Sequence, residues 1–170
     1  MGISQTVLVV CAAFGPRLPA DVVASAIAGG LRDGGLPGPD ICPLPGPGAA
    51  TGPGVTAGPG GAHTFGATVS ADTGDEDVRE LLDALGFDAR MRAARAVVIG
   101  ARRLQERALA GSVTFEIATR ARQGGIPAYA VTGENELEPF DARILDLQLV
   151  LQADSRKGLA AAGRRLAGVV

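Results

Sequence analysis

Residues 7–11 of the chain read Val-Leu-Val-Val-Cys, an apolar and mostly β-branched run. A strand with apolar side chains on both faces has to be covered on both faces, which is typical of a parallel sheet with helices above and below it. The run therefore predicts the first strand of such a sheet. Residues 1–6 contain no basic residue, so we interpret the run as a buried strand and not as the core of a secretory signal.

Helical and strand patterns alternate along the rest of the chain. A helix is predicted over 19–31, with Pro19 near its first turn. The predicted strands cover 40–44, 96–99, 127–131 and 145–151, with a short further strand near 63–69. A capping box at 73–76 opens a helix that Gly86 ends, and two more helices cover 112–123 and 155–167. This alternation predicts one α/β domain over residues 1–170. Its fold would be a doubly wound, Rossmann-like parallel sheet with helices on both faces and a ligand crevice at the carboxyl ends of the strands.

Glycine and proline dominate the segment from about 34 to 63. No helix or interior strand tolerates that composition over its length, so the segment predicts a loop or an ordered linker. Two interpretations stay open, a flexible connector and a loop that cradles phosphate, because a glycine-rich stretch alone does not separate them.

Composition and charge exclude several classes of function. The net charge of −2 and the pI near 5.4 argue against nucleic-acid binding, which needs a clustered basic face. No apolar run is long enough to span a bilayer, so we expect a cytoplasmic protein without a membrane partner. Cys11 and Cys42 fall in predicted buried strands as small hydrophobes and not as a disulfide framework. The only histidine, His63, has no partner at metal-ligand spacing, so no metal site is expected.

Several segments resemble the bacterial glycerate kinases. Residues 9–31 are similar to the family's opening, Ala-Pro-Asp-Ser-Phe-Lys-Gly-Ser-Leu-Ser-Ala, followed by a helix that ends in Gly-Leu. Residues 43–51 resemble its glycine loop, Asp-Gly-Gly-Glu-Gly-Thr, without the acids. Residues 83–88 and 96–111 resemble a segment that contains Asp-Leu-Val-Ile-Thr-Gly-Glu-Gly-Arg-Leu-Asp, and residues 124–133 resemble the strand that follows it.

The order of these segments supports the resemblance more than any single motif does. They cover most of 6–51 and 78–168 in the family's order. The resemblance implies proteins more than twice as long, in which a second domain would lie between the positions of His63 and Asp77. The chain is thus expected to be a truncated and degenerate member that lacks the middle domain.

The resemblance also implies a loss of catalytic charge. Phosphoryl transfer depends on cations and metal-binding carboxylates at fixed positions. The positions aligned with the family's charged residues are neutral here, and they are Ala12, Gly15, Gly46, Ala49, Ala101, Gln105 and Ser112. We therefore predict no catalytic residue and no resident cofactor, with ATP and Mg²⁺ required only if the family's activity persists.

Other residues at the predicted crevice are candidates for ligand binding. They are Gly48, Thr51, Gly100, Arg103, Gly111, Gly133 and Glu134. Arg103 has two interpretations, a surface-paired arginine and an anion-binding one. The acidic run Glu134, Glu136, Glu138 and Asp141 is either a solvated loop or a set of oxygen ligands for a hard cation.

Three functional hypotheses follow. The first is a glycerate-kinase-like protein without catalysis, a pseudoenzyme that associates with itself or with a partner such as an intact kinase. The second is an ATP-dependent glycerate kinase whose site another chain completes. The third is a module that binds a nucleotide or small anion without turnover, through backbone N–H groups at helix N-termini.

Overall fold

The computed structural model describes residues 6–45, 75–105 and 112–170, with side chains described from residue 78 onward in the second range. The strands are β1 (Thr6–Cys11), β2 (Asp40–Pro43), β3 (Ala94–Gln105), β4 (Ala128–Glu136) and β5 (Leu147–Gln152). The helices are α1 (Ala20–Asp33), α2 (Asp75–Ala84), α3 (Phe87–Ala93), α4 (Val113–Gln123), α5 (Pro139–Ile144) and α6 (Arg156–Ala167).

The strands form one parallel sheet in the order β2-β1-β3-β4-β5. The chain moves outward from β1 to β2, then crosses back to add β3 on the other side of β1. The order of the strands therefore reverses between β1 and β3. In doubly wound folds the loops diverge at this switch point and leave a crevice at the carboxyl ends of the strands.

Helices cover both faces of the sheet, as the apolar run 7–11 predicts. Val7, Val9 and Cys11 belong to one buried cluster together with α1 and α6. Leu8 and Val10 belong to a second cluster, formed with α2, α3 and α4. Successive side chains of β1 thus enter two separate cores, which confirms the doubly wound α/β fold.

The helices α1 and α6 pack closely because glycines lie where they touch. A Cβ atom on Gly30 would lie 2.0 Å from the carbonyl oxygen of Ala160, and one on Gly163 would lie 2.2 Å from that of Ile27. Real Cβ atoms do not approach oxygen so closely, so the two backbones meet only because both positions lack a side chain.

Two strands are longer than their apolar runs predict. The predicted ends near Ile99 and Val131 are wrong, since β3 continues to Gln105 and β4 to Glu136. The two strands keep pairing beyond the apolar part, with Arg103 opposite Glu134. The extension of β3 mixes the exposed Arg102 and Arg103 with the buried Leu104, so hydrophobic periodicity does not reveal it.

Two short helices were not predicted. The helix α3 has seven residues and follows Gly86, which adopts a left-handed φ of 63°. The helix α5 has six residues and begins at Pro139, inside the acidic run interpreted above as a loop or cation site. Helices this short carry less than two turns of periodic pattern, which is too little for a sequence signal.

Most predicted helix boundaries are confirmed. Ser112 and Ser155 cap α4 and α6, each accepting a hydrogen bond from a backbone N–H of the first turn. Pro19 is the N-cap of α1, directly before the first turn, in agreement with its predicted place near that turn. In the Gly/Pro segment, residues 34–39 form a turn and a loop. The predicted capping box at 73–76, the strand near 63–69 and the rest of the Gly/Pro segment lie largely or wholly outside the described residues.

No helix in the described ranges is both long enough and apolar enough to cross a bilayer.

Candidate functional site

The loop that leaves β1 forms one wall of the crevice at the switch point. The Ala12 N–H donates to the carbonyl oxygen of Gly100 at 2.9 Å, which holds this loop against β3. The Phe14 N–H donates to the Leu18 carbonyl at 2.8 Å and closes a tight turn before α1. Gly15 lies in this turn with a φ of 144°, a conformation in which other residues are strained.

Gly133 forms the floor of the crevice. A Cβ atom at this position would lie 2.9 Å from the carbonyl oxygen of Arg102 and 3.7 Å from Cδ2 of Phe14. The first distance is too short for a real contact, so a bare backbone lets β4 approach β3 here. The predicted ligand candidate Gly133 thus lies at the crevice, and its close backbone approach explains its identity.

A cavity of about 220 Å³ opens in this crevice, on the side of the sheet covered by α1 and α6. It is lined by Phe14, Leu18, Arg102, Gly133, Glu134 and Asp154. Phe14 and Leu18 supply apolar surface, while the other side chains bring charges of both signs. Of the predicted ligand candidates, the cavity brings together Gly133 and Glu134.

Arg103 is engaged by its neighbours in the strand extension. Its guanidinium lies 2.5 Å from Oε2 of Glu134 and 4.0 Å from Oε1 of Glu136. With its amide oxygen turned toward Arg103, Gln105 accepts from Nη1 at 3.0 Å. These contacts favour the surface-paired interpretation of Arg103, because the guanidinium already has acceptors in place of an anion.

The family model for the glycerate kinase family matches residues 36–158, which is most of the chain. The chain belongs to the glycerate kinase family. No curated protein sequence matches it significantly.

Two solved structures resemble the chain at a distance. One is the Salmonella typhimurium LT2 protein named glycerate kinase 2, with 17% identity and a TM-score of 0.42, covering 55% of this chain and 25% of that chain. The other is diflavin flavoprotein A3 from Nostoc sp., with 17% identity and a TM-score of 0.44, covering 97% and 93% of the two chains. This member of the glycerate kinase family therefore spans about a quarter of the Salmonella protein.

Several positions aligned with the family's charged residues have clear structural surroundings. Ala101 is 8% exposed and packs with Leu104 and Ala130. The Ser112 hydroxyl accepts from the Phe115 N–H at 3.1 Å as the cap of α4. Ala12 is half-buried beside the second core. Gly46, Gly48, Ala49, Thr51, His63 and Gly111 lie outside the described residues.

The acidic run divides between a strand and a helix. Glu134 and Glu136 lie on β4 near Arg103, whereas Glu138 is the N-cap of α5 and Asp141 is 8% exposed within that helix. Among the described residues, no group of three or more histidine, cysteine or acidic side chains is arranged to hold a metal ion.

The two thiols lie in different cores. Cys11 belongs to the cluster under α1 and α6, and Cys42 belongs to the cluster on the opposite face. Burial raises the pKa of Cys11 to about 12 and also raises that of Cys42, which Arg90 partly offsets. Both thiols are free and buried, as predicted.

Sequence reasoning proposed Gly133 and Glu134 but missed the other residues of the cavity, among them the charged Arg102 and Asp154. Arg102 lies in the unpredicted extension of β3, and Asp154 lies between β5 and the cap of α6. Asp154 carries the one signal that was available, since it comes shortly after the predicted strand 145–151, at the crevice edge of the sheet.

Proposed function

We propose that this chain is a non-catalytic member of the glycerate kinase family that acts by association with a protein. The observation that carries the proposal is the state of the aligned charged positions. Those in the described ranges hold neutral residues, and three of them contribute to the backbone or the core.

A charged residue would be unfavourable at each of these three positions, Gly15, Ala101 and Ser112. A lysine at Gly15 would have to adopt a φ of 144°. A carboxylate at Ala101 would enter an apolar cluster, where an unpaired charge is costly. Ser112 caps α4, and replacing a serine cap typically costs about 1 kcal/mol.

ATP and Mg²⁺ do not fit the residues present at these positions. Ala12, Ala101 and Gln105 offer no carboxylate for Mg²⁺, and Gly15 and Ser112 offer no cation for a phosphoryl group. We therefore derive no phosphoryl-transfer step for the described part of the chain.

Association is supported by an edge strand of the sheet that no further strand covers within the described residues. The edge strand β5 reads Leu-Gln-Leu-Val-Leu-Gln and has neither a charge nor a proline, the usual protections of an exposed edge. The helix that leads into β5 exposes Phe140 (70%) and Ile144 (49%) one turn apart. An uncharged edge meets an identical edge without repulsion, so the proposed partner is a second copy of the chain.

Catalysis is tested by incubating the purified chain with MgATP and D-glycerate and measuring phosphoglycerate. We expect no product above the level of the enzyme-free reaction. Product that depends on the chain would overturn the non-catalytic assignment. Product that forms only when a second glycerate kinase chain is added, above that chain's own rate, would establish instead a site completed by another chain.

Association is tested by sedimentation velocity over a range of concentrations. We expect the wild-type chain to form a dimer through the proposed surface, which consists of β5 and the exposed side chains of α5. The dimer population should fall in Phe140→Asp and in Gln148→Lys, because each variant places a charge on this surface. The matched control is Val169→Asp, since Val169 is 54% exposed and follows α6, which is not part of the proposed surface. A wild-type chain that stays monomeric at every concentration would overturn self-association. A dimer that only the control disrupts would place the interface elsewhere.

A further inference from the structure

The cavity in the crevice contains two charged side chains that have no partner among the described residues. Arg102 and Asp154 both line it, and within the described ranges neither has a hydrogen bond or an ion pair to another side chain. The neighbouring pair differs, because Arg103 and Glu134 neutralise each other. No described side chain engages either group, so the cavity offers a ligand one guanidinium and one carboxylate.

The sheet geometry separates the backbones of these two residues by two strand spacings. Arg102 is on β3 and Asp154 follows β5, with β4 between them. Neighbouring strands lie roughly 4.8 Å apart, so the two backbones are about 10 Å apart. Between them Gly133 presents backbone only, so no side chain of residue 133 stands between the two.

The size and charge of the cavity restrict its ligand. Its volume of about 220 Å³ is below the roughly 300–1,000 Å³ of pockets that enclose drug-sized ligands. A nucleotide is therefore too large to be enclosed. A polyanion would also place its charge beside the unpaired Asp154. A small molecule with one negative and one positive group satisfies both free side chains without excess charge.

We propose that this cavity binds a free α-amino acid with a small apolar side chain. The carboxylate of the amino acid pairs with Arg102 and its ammonium group with Asp154. Its hydrocarbon side chain packs against Phe14 and Leu18, the apolar residues of the wall. This binding site does not depend on the proposed association or on the absence of catalysis.

The test is a calorimetric titration of the full chain with L-valine and two matched analogues. Isovalerate lacks the ammonium group of valine, and isobutylamine lacks its carboxylate. We expect L-valine to bind and each analogue to bind roughly tenfold more weakly or not at all, as the loss of one charge-assisted contact requires. Titration with D-glycerate separates this site from one that retains the family's substrate.

Variants locate the binding. Arg102→Gln and Asp154→Asn should each raise the Kd for L-valine roughly tenfold. Arg32→Gln is the matched control, since Arg32 is exposed in the last turn of α1, at the opposite edge of the sheet. The variants alter exposed side chains, and their thermal unfolding verifies that they are folded.

Three outcomes would overturn the proposal. The first is no binding of L-valine at millimolar concentration. The second is equal binding of isovalerate and L-valine with no effect of Asp154→Asn, which describes a simple anion site. The third is binding of L-valine that neither Arg102→Gln nor Asp154→Asn weakens, which places it outside the cavity.

Discussion

Gly100 on β3 pairs with Cys11 on β1, and a Cβ atom on Gly100 would lie 2.5 Å from Sγ of Cys11. The two strands on either side of the switch point therefore pack with the thiol in the space that a side chain at residue 100 would fill. This contact gives Gly100, a predicted ligand candidate, a role in packing the sheet beneath the crevice.

Gly100→Ala should lower the free energy of unfolding by about 1–3 kcal/mol, because the added methyl group overpacks a filled core. Urea denaturation measures the change. The double variant Cys11→Ala, Gly100→Ala lacks the sulfur that the methyl group would meet. Its decrease in the free energy of unfolding should therefore be smaller than the sum of the decreases in the two single variants. Strict additivity would mean that the methyl group does not meet Cys11.

Gly30→Ala should destabilise the chain by about 3 kcal/mol, at the upper end for overpacking, because the obstacle is the Ala160 backbone and not a movable side chain. Its matched control is the neighbouring Gly29, where an added Cβ atom meets nothing within 4 Å. Gly29→Ala should stabilise α1 by about 0.5–1 kcal/mol through helix propensity. Similar melting temperatures for both variants would contradict the close packing of α1 on α6.

Arg90→Lys should lower the free energy of unfolding by about 1–2 kcal/mol. The value is modest because the ion pair of Arg90 with Asp40 is partly exposed to solvent. Arg90 joins α3 to β2 through Nε to Oδ2 of Asp40 at 2.8 Å, Nη2 to Oδ1 of Asp40 at 2.6 Å and Nη2 to the Ile41 carbonyl at 2.8 Å. A lysine cannot make this two-pronged contact. Arg92→Lys is the control and should leave the free energy of unfolding unchanged in chemical denaturation. In the described structure the Arg92 side chain donates to the Asp88 carbonyl, which belongs to its own helix.

Unfolding at high pH should reveal the buried thiol of Cys11. Burial raises its pKa from 9.0 to about 12. Between these values the unfolded chain loses the thiol proton while the folded chain keeps it, so stability falls as pH rises. The Cys11 thiol alone should lower the free energy of unfolding by up to about 1.4 kcal/mol per pH unit in this range. Relative to Cys11→Ala, the wild type should lose stability more steeply from pH 9 to 12, and parallel curves would contradict the raised pKa.

The predictable parts of this protein are those with a strong local signal. The run 7–11 predicted a strand between two layers, and the structure divides its side chains between two cores. Ser112 and Ser155 predicted helix starts because a cap needs only the next turn of chain. The extension of β3 and the helices α3 and α5 had no such signal, since pairing of β3 with β4 and packing of short helices depend on distant residues.

The candidate site likewise has parts that the sequence predicted and parts that depend on residues far apart in the chain. The sequence by itself determined the layered α/β fold, the family resemblance and the neutral residues at the aligned charged positions, because each of these can be read from local order along the chain. Only the tertiary structure decided that Arg103 pairs with Glu134, while Arg102 and Asp154 line one cavity with no partner in the part of the chain that the structure describes. Neighbouring residues of a strand point to opposite faces of the sheet, and strand order brings together side chains that are far apart in the chain.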